Sequence, residues 1–232
     1  MKTYIVVGGT SGIGLETTKV LSHNNRVVVI SREKKNIDGL TNVDFYPANI
    51  TKTIDELPNI EGKINGIVYC PGTINLKPMK TLRIEDFQND FEVNLLGAVK
   101  VINIYFNNLK SAEKSSIVLF STVAVQTGMP YHASIAAAKG AVEGLTRCLA
   151  AEFAPNVRVN CIAPSITNTP LAEKLLNNEA KLKASEDRHP LKRIGSALEI
   201  AELTAFLLSD NAGFITGQII KIDGGISSVK IL

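Results

Sequence analysis

The sequence predicts an α/β fold: one domain built on a parallel sheet, with helices wound on both faces. Three observations carry this. Short β-branched runs alternate with helical patterns from one end of the chain to the other. The first two strand-like runs, at 3–9 and 26–31, are apolar rather than alternating, which marks strands covered on both faces. Finally, 232 residues, 45% hydrophobic and 20% charged, supply a core of single-domain size.

The elements follow in order. "TYIVVGG" at 3–9 and "RVVVIS" at 26–31 are apolar runs bounded by turn residues. Between them Ile13, Thr17, Val20 and Leu21 recur at helical spacing. Further strands are predicted at 43–48, 65–72, 115–124, 157–164 and 218–225, and long helices at 84–109, 134–153 and 196–209. The stretch 170–190 is helical in composition but charged and lies between two prolines, so a mobile flap is expected at about 168–192. No linker, repeat or low-complexity run interrupts the chain, and 1–232 reads as one unit. Such strand–helix alternation implies right-handed crossovers. Ligands are then expected beyond the carboxyl ends of the strands, at the switch point.

Composition excludes several function classes. A net charge of +3 is too mild to call for nucleic acid or an anionic membrane. No apolar run approaches the ~20 residues of a membrane span, and "MKTYIVVGG" enters a strand directly, without a signal-peptide pattern. Cys70, Cys148 and Cys161 are far apart in apolar stretches, without metal-ligand spacing; they are expected to be buried reduced thiols in a cytoplasmic protein, and no metal is expected.

The chemistry begins at "VVGGTSGIG", where Gly8, Gly12 and Gly14 follow a strand and open a helix. Glycines there let the backbone turn tightly beside a pyrophosphate, which the positive end of the helix then faces. At the end of the second strand an acidic residue would suit the ribose 2′-hydroxyl of NAD(H), but this chain has Ser31 and Arg32. A guanidinium suits a 2′-phosphate better, so NADP(H) is favoured over NAD(H), with Lys34 or Lys35 as helpers and Glu33 keeping the other reading open.

Taken with "FEVNLLGAV", "AAAKGAVEGLTRCLAAEFAPNVRVNCIAPSITNTPL" and "HPLKRIGSALEIAELTAFLLSDNAGFITGQIIKIDGG", the glycine loop resembles that of the short-chain dehydrogenase/reductase family, over essentially the whole chain. The resemblance implies a Rossmann-type sheet of about seven strands in the order 3-2-1-4-5-6-7. It also implies hydride transfer between a nicotinamide and a carbonyl, alcohol or activated double bond of a small molecule. A homodimer or homotetramer is expected on the same ground, and the apolar run "ISSVKIL" at the end of the chain is compatible with burial in such a contact. The cofactor set it implies adds Thr10, Ser11 and Ile13 to the glycines. It continues with Asn49 and Ile50 after the third strand, Gly72 after the fourth, and Pro164, Ile166, Thr167 and Thr169 after the sixth. Thr169 is equally placed to open a helix before Pro170. Asn94 matches the asparagine that orders a water, Lys139 the lysine that binds the nicotinamide ribose, and Thr122 the serine that steadies the substrate oxygen, with Ser121 beside it.

One position departs sharply. The family's general-acid tyrosine stands four residues before the lysine, and here that residue is Ile135. A positioned general acid contributes roughly 10²–10⁴ in rate. Tyr131 and His132, at the front of "YHASIAAAK", are the candidate replacements, and neither of them is a third reading. The other departures are Tyr69 to Gly72 ("YCPG") for the family's Asn-Asn-Ala-Gly, Pro164-Ser165 for Pro-Gly, and a shortened segment between the third and fourth strands, with its helix reduced or lost. Two further readings stay open: an NADP(H)-binding sensor or structural subunit without turnover, and a non-redox lyase or isomerase on the same fold.

Overall fold

In a computed structural model, which describes residues 1–52 and 57–230, seven parallel strands form one sheet in the order β3-β2-β1-β4-β5-β6-β9. They are β1 (Thr3–Val7), β2 (Arg26–Ser31), β3 (Val43–Pro47), β4 (Gly66–Tyr69), β5 (Ser115–Phe120), β6 (Val157–Pro164) and β9 (Ile219–Ile222). This is the doubly wound order the resemblance implies. The chain reverses between β1 and β4, so the switch point lies at their carboxyl ends.

Continuous apolar strands are explained by the two layers of core. In β1, Ile5 and Val7 point to one face, while Tyr4 and Val6 point to the other. On the first face lie Ala98, Val101, Ile102 and Tyr105 of α3 (Gly97–Ser111) and Val142 and Ala150 of α5 (Ala133–Phe153). On the second face are Leu21 of α1 (Gly12–Ser22) and Ile200, Leu207 and Leu208 of α8 (Ala197–Leu208). With both faces covered, no polar alternation survives in β1 or in the Val27–Ile30 run of β2.

The helix expected at 84–109 is interrupted. It runs as α2 (Ile84–Phe91), a π-helical turn at Glu92–Leu96, then α3. A steric cause is visible. The Tyr69 hydroxyl donates to Val93 O at 2.6 Å, and the Gly97 N–H, displaced from that carbonyl, donates to Glu92 O instead. A methyl group on Gly97 would stand 2.1 Å from the Tyr69 oxygen, so only glycine admits this wedge. Such single π turns inside helices recur at functional sites.

Two short strands fall outside the expected set. β7 (Thr167–Asn168) and β8 (Gly195–Ser196) pair in parallel and close the base of the segment read as a flap. A two-residue ribbon has no periodicity for a sequence to show. Inside it lie a 3₁₀ turn at Pro170–Ala172, α6 (Glu173–Leu176) and α7 (Glu179–Arg188). Its far end is anchored by the buried His189, whose Nε2 lies 2.9 Å from Ser165 Oγ and whose Nδ1 lies 2.7 Å from Ser185 O. After β8, Ser196 and Glu199 form a capping box, and Arg193 beside Glu199 holds its carboxyl down at about 2.

Between β3 and β4 no helix occurs among the described residues; 53–56 lie outside them, as do the last two residues of "ISSVKIL". One expectation is corrected. Cys70 is half-buried and Cys161 buried, but Cys148 is exposed. It follows Lys139 by nine residues, two and a half helical turns, which turns it away from the face that α5 buries. Among the described residues no helix is long and apolar enough to cross a membrane, and no group of three metal-ligating side chains occurs.

Candidate active site

The glycine loop lies at the carboxyl end of β1, where α1 begins. Gly8 and Gly12 have φ of +75° and +52°, a region that side chains disfavour. A methyl group on Gly14 would meet Gly8 O at 2.2 Å, so the turn closes only on glycine. Ser11, the N-cap of α1, makes no side-chain capping bond, and the first N–H groups of the helix remain available to an anion. Gly12 faces Thr169, whose Cβ would lie 3.3 Å from an added methyl, so the start of the flap stands over this loop. Gly8 faces Pro71, beside Gly72.

Ser31 Oγ lies 2.9 Å from Thr10 Oγ1, which ties the end of β2 to the glycine loop. Next to it Arg32 is exposed and makes no hydrogen bond or ion pair among the described residues, while Lys34 pairs with Asp38 and Lys35 with Glu33. Of the two helpers, both amines therefore have partners, and Arg32 is the cation without one. Asn49 Oδ1 accepts from the backbone and hydroxyl of Thr51. The side chains of Ile13 and Ile50 pack into the two core layers, so these residues offer a ligand their backbone only. Ile166 O accepts from Gly195, Thr167 is buried with its hydroxyl on Ser165 O, and Pro164 O accepts from Val123. Thr169 is the N-cap of the 3₁₀ turn opened by Pro170 and donates to Thr167 O, so its capping place is real although its hydroxyl does not cap.

The structure brings Gly72, Asn94 and Lys139 together. A methyl group on Gly72 would stand 3.3 Å from Asn94 Oδ1 and 3.6 Å from Lys139 Nζ. The π turn directs Asn94 inward, where its Nδ2 donates to Thr73 Oγ1 at 2.9 Å and to Asp90 O at 2.7 Å. Among the described residues its Oδ1 is buried without a partner, as is Asp90 Oδ2. Lys139, 8% exposed, spends one N–H on Phe120 O at 2.8 Å and keeps two. Burial pushes its pKa down to about 8, opposed by Cys161, Cys70 and Asp90. An unused acceptor and two unused donors thus border the space beside Gly72. Buried polar groups in that state call for a polar occupant.

Thr122 stands two residues beyond Phe120, and its Oγ1 accepts from Ala124 N. Ser121, its neighbour, is buried with its hydroxyl on Glu143, leaving Thr122 as the hydroxyl at the end of β5. Ile135 is buried one turn before Lys139, on the same face of α5. Tyr131 precedes the helix with φ of +69° and is 59% exposed. His132 is half-buried, with Nδ1 2.7 Å from Pro130 O. The helix starts at Ala133, so neither side chain continues the face that carries Lys139.

Sequence reasoning missed Tyr69, Thr73 and Asp90. Tyr69 was visible only as a departure from a motif. Asp90 and Asn94, one turn apart, are as polar as any solvated helix face, and only the packing of α2 on α5 buries them.

The pattern of a protein family described as enoyl-(acyl carrier protein) reductase matches residues 8–227. A 3-oxoacyl-(acyl-carrier-protein) reductase of Thermotoga maritima is 32% identical over 241 residues, which cover 97% of each chain. Among solved structures, a short chain dehydrogenase family protein from Francisella tularensis superposes with a TM-score of 0.90 at 29% identity, covering 99% of this chain and 100% of that one. A structure described as ElxO with NADP bound superposes with a TM-score of 0.88 at 25% identity, covering 98% of this chain and 99% of the other.

Proposed function

The chain belongs to the short-chain dehydrogenase/reductase family, and on that premise we propose that it is an NADP(H)-dependent oxidoreductase acting on a small carbonyl compound, with Lys139 in place of the tyrosine as proton donor. The observation that carries this is the space bordered by Gly72, Asn94 Oδ1 and the two unused N–H groups of Lys139. The residues fit the cofactor. Gly8, Thr10, Ser11, Gly12, Ile13 and Gly14 form the loop at a free helix N-terminus, Ser31 ends β2 with Arg32 next to it, and Thr169 stands over Gly12; Asn49, Ile50, Pro164, Ile166 and Thr167 are assigned to the cofactor by the family resemblance. Arg32, without a partner of its own, is the residue for a 2′-phosphate, and the similar protein with NADP bound supports that choice.

When bound, the reduced nicotinamide supplies a hydride. The chain's own residues handle position and proton. Thr122 donates a hydrogen bond to the carbonyl oxygen, and Asn94 Oδ1 and Lys139 Nζ hold a polar partner between them. As the carbonyl carbon gains its hydrogen, the oxygen takes a proton from Lys139 Nζ. A pKa of about 8 suits that transfer near neutral pH. The amine then regains a proton from solvent. Ile135 leaves the buried face of α5 apolar one turn before Lys139, and Tyr131 and His132 are assigned to the substrate side. The segment between β7 and β8 serves as the substrate flap. Its Lys181 and Lys183 are engaged with Asn177 and Asp187. A homo-oligomer in the cytoplasm completes the reading.

The test is NADPH consumption, followed by absorbance, against a panel of ketones, aldehydes and enones. It is paired with fluorescence titration of NADPH and NADH. Turnover on a carbonyl is expected, together with NADPH binding tighter than NADH. Arg32→Ala should erase that preference, a loss of about 10–100-fold from a charge-assisted contact. Tight NADPH binding without turnover on any substrate would favour the sensor reading, which the buried Ile135 permits. Equal affinities for the two nucleotides would sink the Arg32 assignment.

A further inference from the structure

We propose that Asp90 is a positioning residue of this site: through Thr73 its buried carboxylate fixes Asn94, and it is the countercharge of the Lys139 ammonium. The inference deepens the reading of Lys139 given above and rests on it. Asp90 lies in α2 with no exposure at all. Burying a carboxylate costs several kcal/mol unless hydrogen bonds or an opposite charge compensate. Its hydrogen bonding is incomplete: Oδ1 accepts from Thr73 Oγ1 at 2.6 Å, and Oδ2 has no partner.

The direction of the Thr73 bond follows from its neighbours. Thr73 Oγ1 already accepts from Asn94 Nδ2, so its single hydroxyl proton goes to Asp90. Asn94 is pinned at both ends of Nδ2, by Thr73 Oγ1 and by Asp90 O, and Oδ1 is left to face the space beside Lys139. Removing the carboxylate therefore loosens the residue that orders the site as well as its charge.

The charge balance around Lys139 points to the same residue. Gly72 and Thr73 are consecutive, so the Lys139 amine beside Gly72 and the Asp90 carboxylate bonded to Thr73 meet the same turn of chain, where Cys161 from β6 and Cys70 from the end of β4 also act on the amine. Burial pushes both thiols up to about 12, so neither carries charge near neutral pH. On α5 itself, Glu143 follows one turn later and is engaged by the Ser121 hydroxyl. Further along α2, Asp86 is paired with Lys77 and takes a contact from Asn75. Among the described residues, Asp90 is thus the anion that reaches Lys139 from outside its own helix without a cation of its own.

The experiment uses apoprotein carrying ¹³C at the lysine ε-carbon. The Lys139 resonance is identified by its loss in Lys139→Met, and its shift is followed against pH. A midpoint near 8 is expected in the parent chain, and Asp90→Asn should lower it by about one pH unit, because the ammonium loses its countercharge. Thr73→Ser, which keeps the hydroxyl, should leave the midpoint in place. An unmoved midpoint in folded Asp90→Asn, or a midpoint moved as far by Thr73→Ser, overturns the proposal. Because the measurement involves neither nucleotide nor turnover, failure to bind NADPH would count against the proposed function alone.

Discussion

Replacing Lys139 by Met should make the apoprotein more stable at neutral pH while abolishing its activity. The ammonium is buried, and desolvation pushes its pKa down to about 8 from an ordinary value near ~10.4. Between those limits the unfolded chain holds a proton that the native chain has released. Stability of the parent protein therefore rises with pH through that window and is lost as pH falls through the folded value. Integrated over the window, the buried charge costs about 3 kcal/mol at pH 7. Methionine removes that cost at similar length, and it also removes the donor to Phe120 O, which returns a penalty of about 1–3 kcal/mol. The net expectation is a gain of about 1 kcal/mol at pH 7. Near pH 10.5 the native lysine is already neutral, so the variant should there be the less stable of the two. Urea unfolding of both proteins at the two pH values measures this. A variant that is destabilised at pH 7, with a difference that does not change with pH, would refute the reasoning. Turnover should vanish in the same variant while the preference for NADPH over NADH, set by Arg32, stays, which separates a functional lysine from a structural one.

Two other changes test the same site from different sides. Ile135→Tyr puts a phenol one turn before the Lys139 ammonium, on the buried face of α5, and carbonyl reduction should rise, by less than the roughly 10²–10⁴-fold worth of a positioned acid because Lys139 already donates the proton. NADPH consumption reads this, and unchanged turnover with intact nucleotide binding would mean that more than the acid departs from the family pattern. Tyr69→Phe takes the partner from the part-buried Val93 O and should cost about 1–3 kcal/mol in urea unfolding. Unchanged stability would show that the π turn does not need the hydroxyl.

Much of the site was legible before any coordinates, for reasons that differ from residue to residue. Gly8, Gly12 and Gly14 announce themselves because two positive φ values and one close approach exclude every other side chain. Lys139 stands out as a charge among alanines, and a lone charge on an apolar face needs a reason. Ile135 was visible as the wrong residue type at a known spacing. Asp90 was not visible, because a carboxylate in a polar helix looks solvated until the facing helix is placed. The Tyr131 and His132 candidacies turned on where α5 begins, and a helix boundary after Pro130 is a property of packing as much as of sequence.

By itself the sequence determined the architecture: continuous β-branched strands joined by helices have one common solution, a parallel sheet covered on both faces, with the glycine loop at its switch point. It also determined the chemistry available, since residue types at fixed spacing along one chain need no partner to be read. Only the tertiary structure decided which of those groups meet. The space beside Gly72 is bordered by an oxygen from a π turn and an amine from α5, far apart in sequence. That turn itself exists because a tyrosine from β4 reaches a carbonyl two dozen residues away. Contacts of this kind arise from the packing of whole elements, whose cost and gain are shared over many residues and leave no mark at any one position.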